Sequence, residues 1–283
     1  MVAWLGTGLL GSGFVRALLK RGEEVHVWNR SKGKAQALEA DGAKAFADPA
    51  EAVRDATRVH LCLSDDSAVD DVLELARPGF ADGVIVVDHT TTSPAGTAAR
   101  VKRWTERDVA FQDAPVFMGP PNALEATGFM LASGDRALFD RLEPELVKMT
   151  GKLLYFGPVP ERAAGMKLLG NLSLVSMLAG ISDVLALAKA LDIPSKEVVA
   201  LFETFNPGAQ LPARMQRVLK ADYDHPSWNL AMARKDARLM IEAADQGGVT
   251  LRVIPAAAAE MDRWLEAGHA ADDWTIIASS VIK

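Results

Sequence analysis

Lys167 and Asn171 stand four residues apart in the stretch GMKLLGNLSLVSMLAG, residues 165–180, in which Lys167 is the single charged side chain. In a helix that spacing puts both side chains on one face. An isolated ammonium is costly to bury unless it has a partner or a task. Burial lowers its proton affinity, and that suits an amine exchanging a proton with a reacting oxygen. An amide one turn further on can hold that oxygen or orient the amine. The same two residues also fit a snorkelling lysine at a helix end beside a packing amide.

A second constellation lies at the start. In VAWLGTGLLGSGFVRALL, Gly6, Gly8 and Gly11 have the spacing G-x-G-x-x-G, with Thr7, Leu9 and Leu10 between them. The motif follows a strand-like run and opens a helical one, which is the setting of a dinucleotide-binding turn. Gly6 allows the turn, Gly8 admits a pyrophosphate to the backbone, and Gly11 lets the helix pack on the strand. The helix N-terminus offers N–H groups to the phosphates. The next strand-like run, EVHVWNRSKGK, has no carboxylate after Val27. Asn29, Arg30, Ser31 and Lys32 take its place. A carboxylate there would hold a ribose hydroxyl and repel a 2′-phosphate, whereas Arg30 can grip one. The expected cofactor is NADP(H). Arg30 and Lys32 also fit plain solvated surface charges.

The rest of the chain must position these groups. Short β-rich runs alternate with helical ones up to GKLLYFG, residues 151–157; after GPVPERAAG the segments read as helices. Such alternation predicts a parallel sheet covered on both faces. The expected fold is α/β: a Rossmann-type doubly wound domain over 1–158, a long interdomain helix over 159–192 and an all-α domain over 193–283. AFQDAPVF, residues 110–117, reads as one strand, and SKGKAQALEADG, residues 31–42, as one helix.

With 283 residues, about half of them apolar, the chain can bury a real core. A net charge of −6 argues against nucleic acid or an anionic membrane as partner. The apolar run after Lys167 is closed by Asp183 and Lys189 and lacks aromatic anchors, so a packed helix is expected rather than a membrane span. No secretory pattern opens the sequence, and a cytoplasmic location is expected. The single Cys62 cannot form an internal disulfide. His26, His60, His89, His225 and His269 are scattered without ligand spacing, so no metal is expected. His89 ends a strand-like run near the expected site, with a contact role or none.

The ordered motifs GTGLLGSG, WNRS, DHTTTSP, DAPVFMGPPNALEATGFMLASG, GMKLLGN and RKDARLMIEAA together resemble the β-hydroxyacid dehydrogenases. That family includes 3-hydroxyisobutyrate dehydrogenase and the glyoxylate and succinic semialdehyde reductases, within the 6-phosphogluconate dehydrogenase-like group. The resemblance covers nearly the whole chain. It implies that Lys167 is the catalytic lysine and Asn171 its companion amide. It implies that Thr90 lies against the cofactor and Thr91 against the substrate, that Leu63 and Ser64 touch the cofactor, and that Lys235 lies near it. Trp228 falls where related semialdehyde reductases line the pocket with an aromatic residue. Dimers or tetramers are usual in the family, and the apolar stretch from about Arg162 to Leu191 points to a homodimer.

One motif departs from the family. The usual substrate loop reads Pro-Val-Ser-Gly-Gly, and its serine and N–H groups hold a carboxylate. Here Phe117 replaces the serine, Met118 replaces a glycine, Gly119 remains, and Pro120 and Pro121 have no N–H to offer. A buried carboxylate without donors is strongly penalised. The resulting expectation is an NADPH-dependent reductase or dehydrogenase acting on a carbonyl or hydroxyl, of the semialdehyde or 3-hydroxyacid type, with a bulkier substrate possible. Two alternatives stay open: an imine reductase-like enzyme, and a dinucleotide-binding scaffold without turnover.

Overall fold

The structure is a computed structural model and describes residues 1–282. Its first half alternates strand and helix: β1 (Val2–Leu5), α1 (Leu9–Lys20), β2 (Val25–Trp28), α2 (Lys32–Gln36), β3 (Lys44–Phe46), α3 (Pro49–Ala52), β4 (Arg58–Leu61), α4 (Asp66–Ala76), β5 (Ile85–Asp88), α5 (Pro94–Thr105) and β6 (Ala110–Asp113). These six strands form one parallel sheet in the order β3-β2-β1-β4-β5-β6. The order reverses between β1 and β4, and the crevice beyond their carboxyl ends is where such sheets bind ligands.

Strand alternation explains how both faces are covered. Val2, Trp4, Val25, Val27, Ile85 and Val87 point into one apolar cluster. Ala3, Leu5, Val59, Leu61 and Val86 point into the other, together with Trp104 and Phe111. The strands therefore read as continuous apolar runs.

The run AFQDAPVF is not one strand. It breaks at Ala114-Pro115: β6 ends the large sheet, and β7 (Val116–Phe117) starts a second sheet of three strands. Pro115 lacks the N–H needed to continue the first ladder. β7 is antiparallel to β8 (Phe129–Ala132), which is parallel to β9 (Lys152–Tyr155). Between them lie α6 (Pro120–Glu125) and α7 (Arg136–Leu146). The expected helix over 31–42 is also shorter, because α2 stops at Gln36 and a 3-10 turn covers Glu39–Asp41. The helix α5 is clear in hindsight from Ser93-Pro94, since Ser93 Oγ accepts from Gly96 N at 3.1 Å and proline suits the first helical position.

The 29-residue α8 (Arg162–Ala190) follows. Among the described residues it is the one helix long and apolar enough to cross a membrane by length and composition. Its C-terminal third carries Asp183, whose carboxylate accepts N–H bonds of 2.8–3.0 Å from Arg252, Val253 and Ile254. The chain divides into two compact units within this helix, Met1–Leu172 and the remainder from Ser173. The second unit also contains α9 (Ser195–Thr204), α10 (Leu211–Lys220), α11 (Leu230–Gln246) and α12 (Ile254–Glu266), and Leu230, Ala233, Ala258, Met261 and Ile276 form its core.

Candidate active site

The carboxyl ends of β1, β2, β4 and β5 surround a groove of about 710 Å³. Gly6, Gly8, Leu9, Leu10 and Gly11 line it on one side, Asn29, Arg30 and Ser31 on a second, and Leu63, Ser64, Thr90 and Thr91 on a third. Thr7 lies behind the loop, buried, with its hydroxyl unpartnered.

Two glycines shape the loop. Gly6 has φ +101°, and a Cβ there would strike the carbonyl oxygen of Cys62. A Cβ on Gly11 would strike the carbonyl oxygen of Gly6 and come within 2.9 Å of Trp4 Nε1. Gly8 faces open space and caps α1 without a side-chain hydrogen bond, so no side-chain cap occupies the N–H groups of the first turn. Those amides and their dipole fit a pyrophosphate. The end of β2 is tied to this loop by Asn29, whose Oδ1 accepts from Thr7 N at 3.0 Å and whose Nδ2 donates to Ser31 O at 3.1 Å. Asn29 thus braces the groove, and Arg30 stands exposed at its wall. Lys34, one turn along α2 from Arg30, lines the groove where Lys32 does not.

The third wall is also braced. Thr90 Oγ1 accepts from Leu63 N at 3.0 Å, and Thr90 N donates to Asp88 Oδ1 at 2.9 Å. Burial pushes the Asp88 carboxyl up to about 6, with the hydrogen bonds from Thr90 opposing it. Thr90 is buried and Thr91 exposed, so only Thr91 of this pair presents its side chain freely.

A separate corner of the first unit holds Lys167. Its Nζ donates to Asn171 Oδ1 at 3.1 Å and lies 4.1 Å from the centre of the Phe117 ring. The lysine side chain is largely buried, and burial lowers its pKa from the ordinary 10.5. The ring also meets α8 at Gly170, where a Cβ would collide with it. Thus α8 presents lysine, glycine and amide on one face, and β7 lays a phenyl ring across them. The attraction of a cation to a ring face is worth roughly 0.5–2 kcal/mol.

Beyond Phe117 the chain is short of donors. Gly119 N donates to Asn122 Oδ1 at 2.8 Å, and Pro120 and Pro121 open α6. The only N–H in Gly119-Pro120-Pro121 is therefore occupied by a cap. Met118 packs against the apolar cluster of the first unit.

Trp228 and Lys235 lie in the second unit. Trp228 packs against Trp274 with ring centres 5.5 Å apart, and Lys235 pairs with the adjacent Asp236 at 2.9 Å. Residues that motif reading missed in the groove include Trp28, Cys62 and Asp71. Trp28 and Cys62 follow from strand ends, but nothing in the sequence marks Asp71. Among the described residues no group of three or more His, Cys, Asp or Glu side chains is placed to hold a metal ion.

Known families match the chain in two parts. Residues 1–157 match the family described as the NAD binding domain of 6-phosphogluconate dehydrogenase. Residues 162–283 match the NADPH-dependent reductive aminase-like C-terminal domain. The chain is 30% identical to the human cytokine-like nuclear factor N-PAC over 86% of its own length but only 44% of that protein, so it spans about half of that relative. It is 25% identical to the 3-sulfolactaldehyde reductase of Escherichia coli K12, over 99% of this chain and 95% of the relative. The solved imine reductase of Streptomyces aurantiacus is 27% identical, with a TM-score of 0.90 and coverage of 100% of this chain and 99% of that one. The glycine turn, the parallel sheet and the matched domain together place this chain in the 6-phosphogluconate dehydrogenase-like family.

Proposed function

We propose that this protein is an NADPH-dependent reductase acting on a carbonyl group of an apolar substrate. The observation that carries the reading is the Lys167 amine, held by Asn171 at 3.1 Å and covered by Phe117 at 4.1 Å. Gly6, Gly8 and the first turn of α1 would hold the pyrophosphate. Arg30 and Lys34 would hold the 2′-phosphate, and Thr90 and Leu63 would border the nicotinamide end. A reduced nicotinamide dinucleotide supplies a hydride to the substrate carbon when bound there. Lys167 gives its proton to the oxygen as negative charge grows on it, and takes it back in the oxidative direction. Asn171 fixes the direction of the amine. Thr91 is proposed as a further contact to substrate.

Phe117, Met118 and the capped Gly119 disfavour a substrate carboxylate at this loop, because the first two have no polar side chain and the Gly119 N–H is taken by Asn122. That shifts the substrate from small hydroxyacids toward bulkier, less charged carbonyl compounds. A second reading has a specific observation behind it. The match of residues 162–283 to a reductive aminase-like domain favours reduction of a C=N bond, with Lys167 donating to nitrogen.

The test is NADPH oxidation, followed by absorbance, with an aliphatic aldehyde, succinic semialdehyde and a cyclic imine offered in parallel. Aldehyde turnover that disappears in Lys167→Ala supports the carbonyl reading. Turnover of the imine alone replaces it with the second. Tight NADPH binding without turnover of any of the three would leave a dinucleotide-binding scaffold.

A second copy of the chain is proposed to cover α8, where Leu169, Leu172, Val175 and Leu178 are each more than 60% exposed. Apolar surface of that extent on one helix marks an association site. Sedimentation at micromolar concentration is expected to give twice the 30.3 kDa chain mass. A monomer under those conditions would refute the dimer.

A further inference from the structure

Two buried titratable side chains have no part in the chemistry above. His60 and His89 are 0% and 2% exposed, within the apolar layer behind the glycine turn. Their rings are joined by a 2.9 Å contact between His60 Nδ1 and His89 Nε2. Arg58 Nε donates to His60 Nε2 at 3.3 Å, and His89 Nδ1 lies 2.8 Å from the carbonyl oxygen of Ala114.

The two ends fix every proton between them. A guanidinium nitrogen only donates, and a carbonyl oxygen only accepts. His60 Nε2 must therefore accept, so its proton sits on Nδ1 and is donated to His89. His89 in turn carries its proton on Nδ1 and donates it to Ala114. One arrangement satisfies all three bonds, and it leaves both imidazoles neutral. The electrostatics agree: burial, His89, Arg58 and Arg21 all push the His60 pKa well below its ordinary value, and burial brings His89 down to about 4 against the hydrogen bond to Ala114. Arg58 pairs in turn with Glu23 and Glu145, and Arg21 pairs with Glu23.

The chain of bonds reaches both halves of the proposed site. On one side the Trp4 indole stacks on His60 and His89, with ring centres 5.0 and 5.5 Å away, and its Nε1 donates to Gly6 O at 3.1 Å. His89 itself lines the nucleotide groove. On the other side Ala114 is fully buried, and three residues later comes Phe117, whose ring covers Lys167. Without His89 the Ala114 carbonyl would lose its partner in an apolar interior.

We propose that His89, held in place by His60, is a positioning residue that ties the floor of the nucleotide groove to the Ala114–Phe117 segment and so sets the Phe117–Lys167 stack. The proposal rests on the reading of Lys167 as the proton donor.

Its test has two parts. In the protein without cofactor, imidazole nitrogen NMR is expected to find two histidines with the proton on Nδ1 and no titration from about pH 8 to about pH 5.5. A proton on Nε2 of either ring, or a midpoint near the ordinary histidine value, overturns the relay. The second part is kinetic. His89→Asn places an amide nitrogen where Nδ1 was and keeps the bond to Ala114, whereas His89→Leu removes it. His89→Leu is expected to lower kcat about 10-fold with KM for NADPH within about 3-fold, and His89→Asn to keep kcat within about 3-fold of the unaltered protein. Equal loss in both variants, or a loss confined to KM, overturns the proposal. If His89→Leu does not fold, His89→Asn and the spectrum of the unaltered protein decide it: kcat reduced 10-fold in His89→Asn counts against. Absence of turnover in the unaltered protein refutes the proposed activity, while the proton positions still decide the relay.

Discussion

One wall of the nucleotide groove is a glycine turn without side-chain bulk, whereas the lysine corner is made by side chains from segments 50 residues apart. In the groove, Gly8 leaves the backbone open to a ligand, while Gly6 and Gly11 let the turn pass close to Cys62 and to itself. In the corner, Lys167 and Asn171 come from α8 and Phe117 from β7, and their relation exists only because Gly170 lets the ring approach. A backbone-built site tolerates much sequence change around its glycines. A side-chain-built site changes its chemistry with one residue. Under the proposed function, the groove would select the dinucleotide and the corner would select what is reduced.

Variants that strike the two regions separately sharpen the contrast. The largest effect is expected from Lys167→Ala, with turnover down about 100-fold or more and NADPH affinity nearly unchanged, as measured by steady-state rates and by fluorescence titration. Loss of nucleotide affinity on the same scale would mean that the two regions are not separable. Arg30→Ala is expected to weaken NADPH about 10-fold while leaving NADH within about 2-fold, since only the former has a 2′-phosphate to lose. Equal weakening of both would remove Arg30 from that role.

The smallest effect concerns pH. With Lys167 as the proposed proton donor, reduction would need it protonated, so the rate is expected to fall as pH rises through the lysine pKa. Burial lowers that pKa below the ordinary 10.5, so the alkaline limb of kcat lies below that point. Phe117→Ser admits water to the amine and relieves the burial. It also removes the ring's attraction for the charge, which acts in the opposite direction. Burial is the cause of the shift, so the limb is expected to move upward by less than about one pH unit. A limb that stays in place or moves down would show that the ring does not control the lysine's exposure to water.

Much of the fold was legible because local pattern and global fold agree in the first half of the chain. The glycine spacing, the β-rich runs and the missing acid after Val27 each depend on a few neighbouring residues. The break at Ala114-Pro115 was not legible as a change of sheet, although Pro115 carried the hint. The loss of a serine at Phe117 and the two prolines mark this loop as poor in donors from sequence. That Asn122 also takes the Gly119 N–H required the structure, because a cap is a contact between side chain and backbone. The sequence leaves His89 with a contact role or none, since its partner His60 lies 29 residues away and only parallel pairing of β4 with β5 brings them together.

By itself the sequence determined the dinucleotide turn, the alternation that builds a parallel sheet, and the face of α8 that carries Lys167 and Asn171. Those features follow from backbone sterics and from periods of two and 3.6 residues, and both act locally. Tertiary structure alone decided that Phe117 covers the lysine, that Asn29 braces the glycine turn, and that two imidazoles share one line of protons. Such contacts depend on how elements far apart in sequence pack, and no local periodicity encodes that.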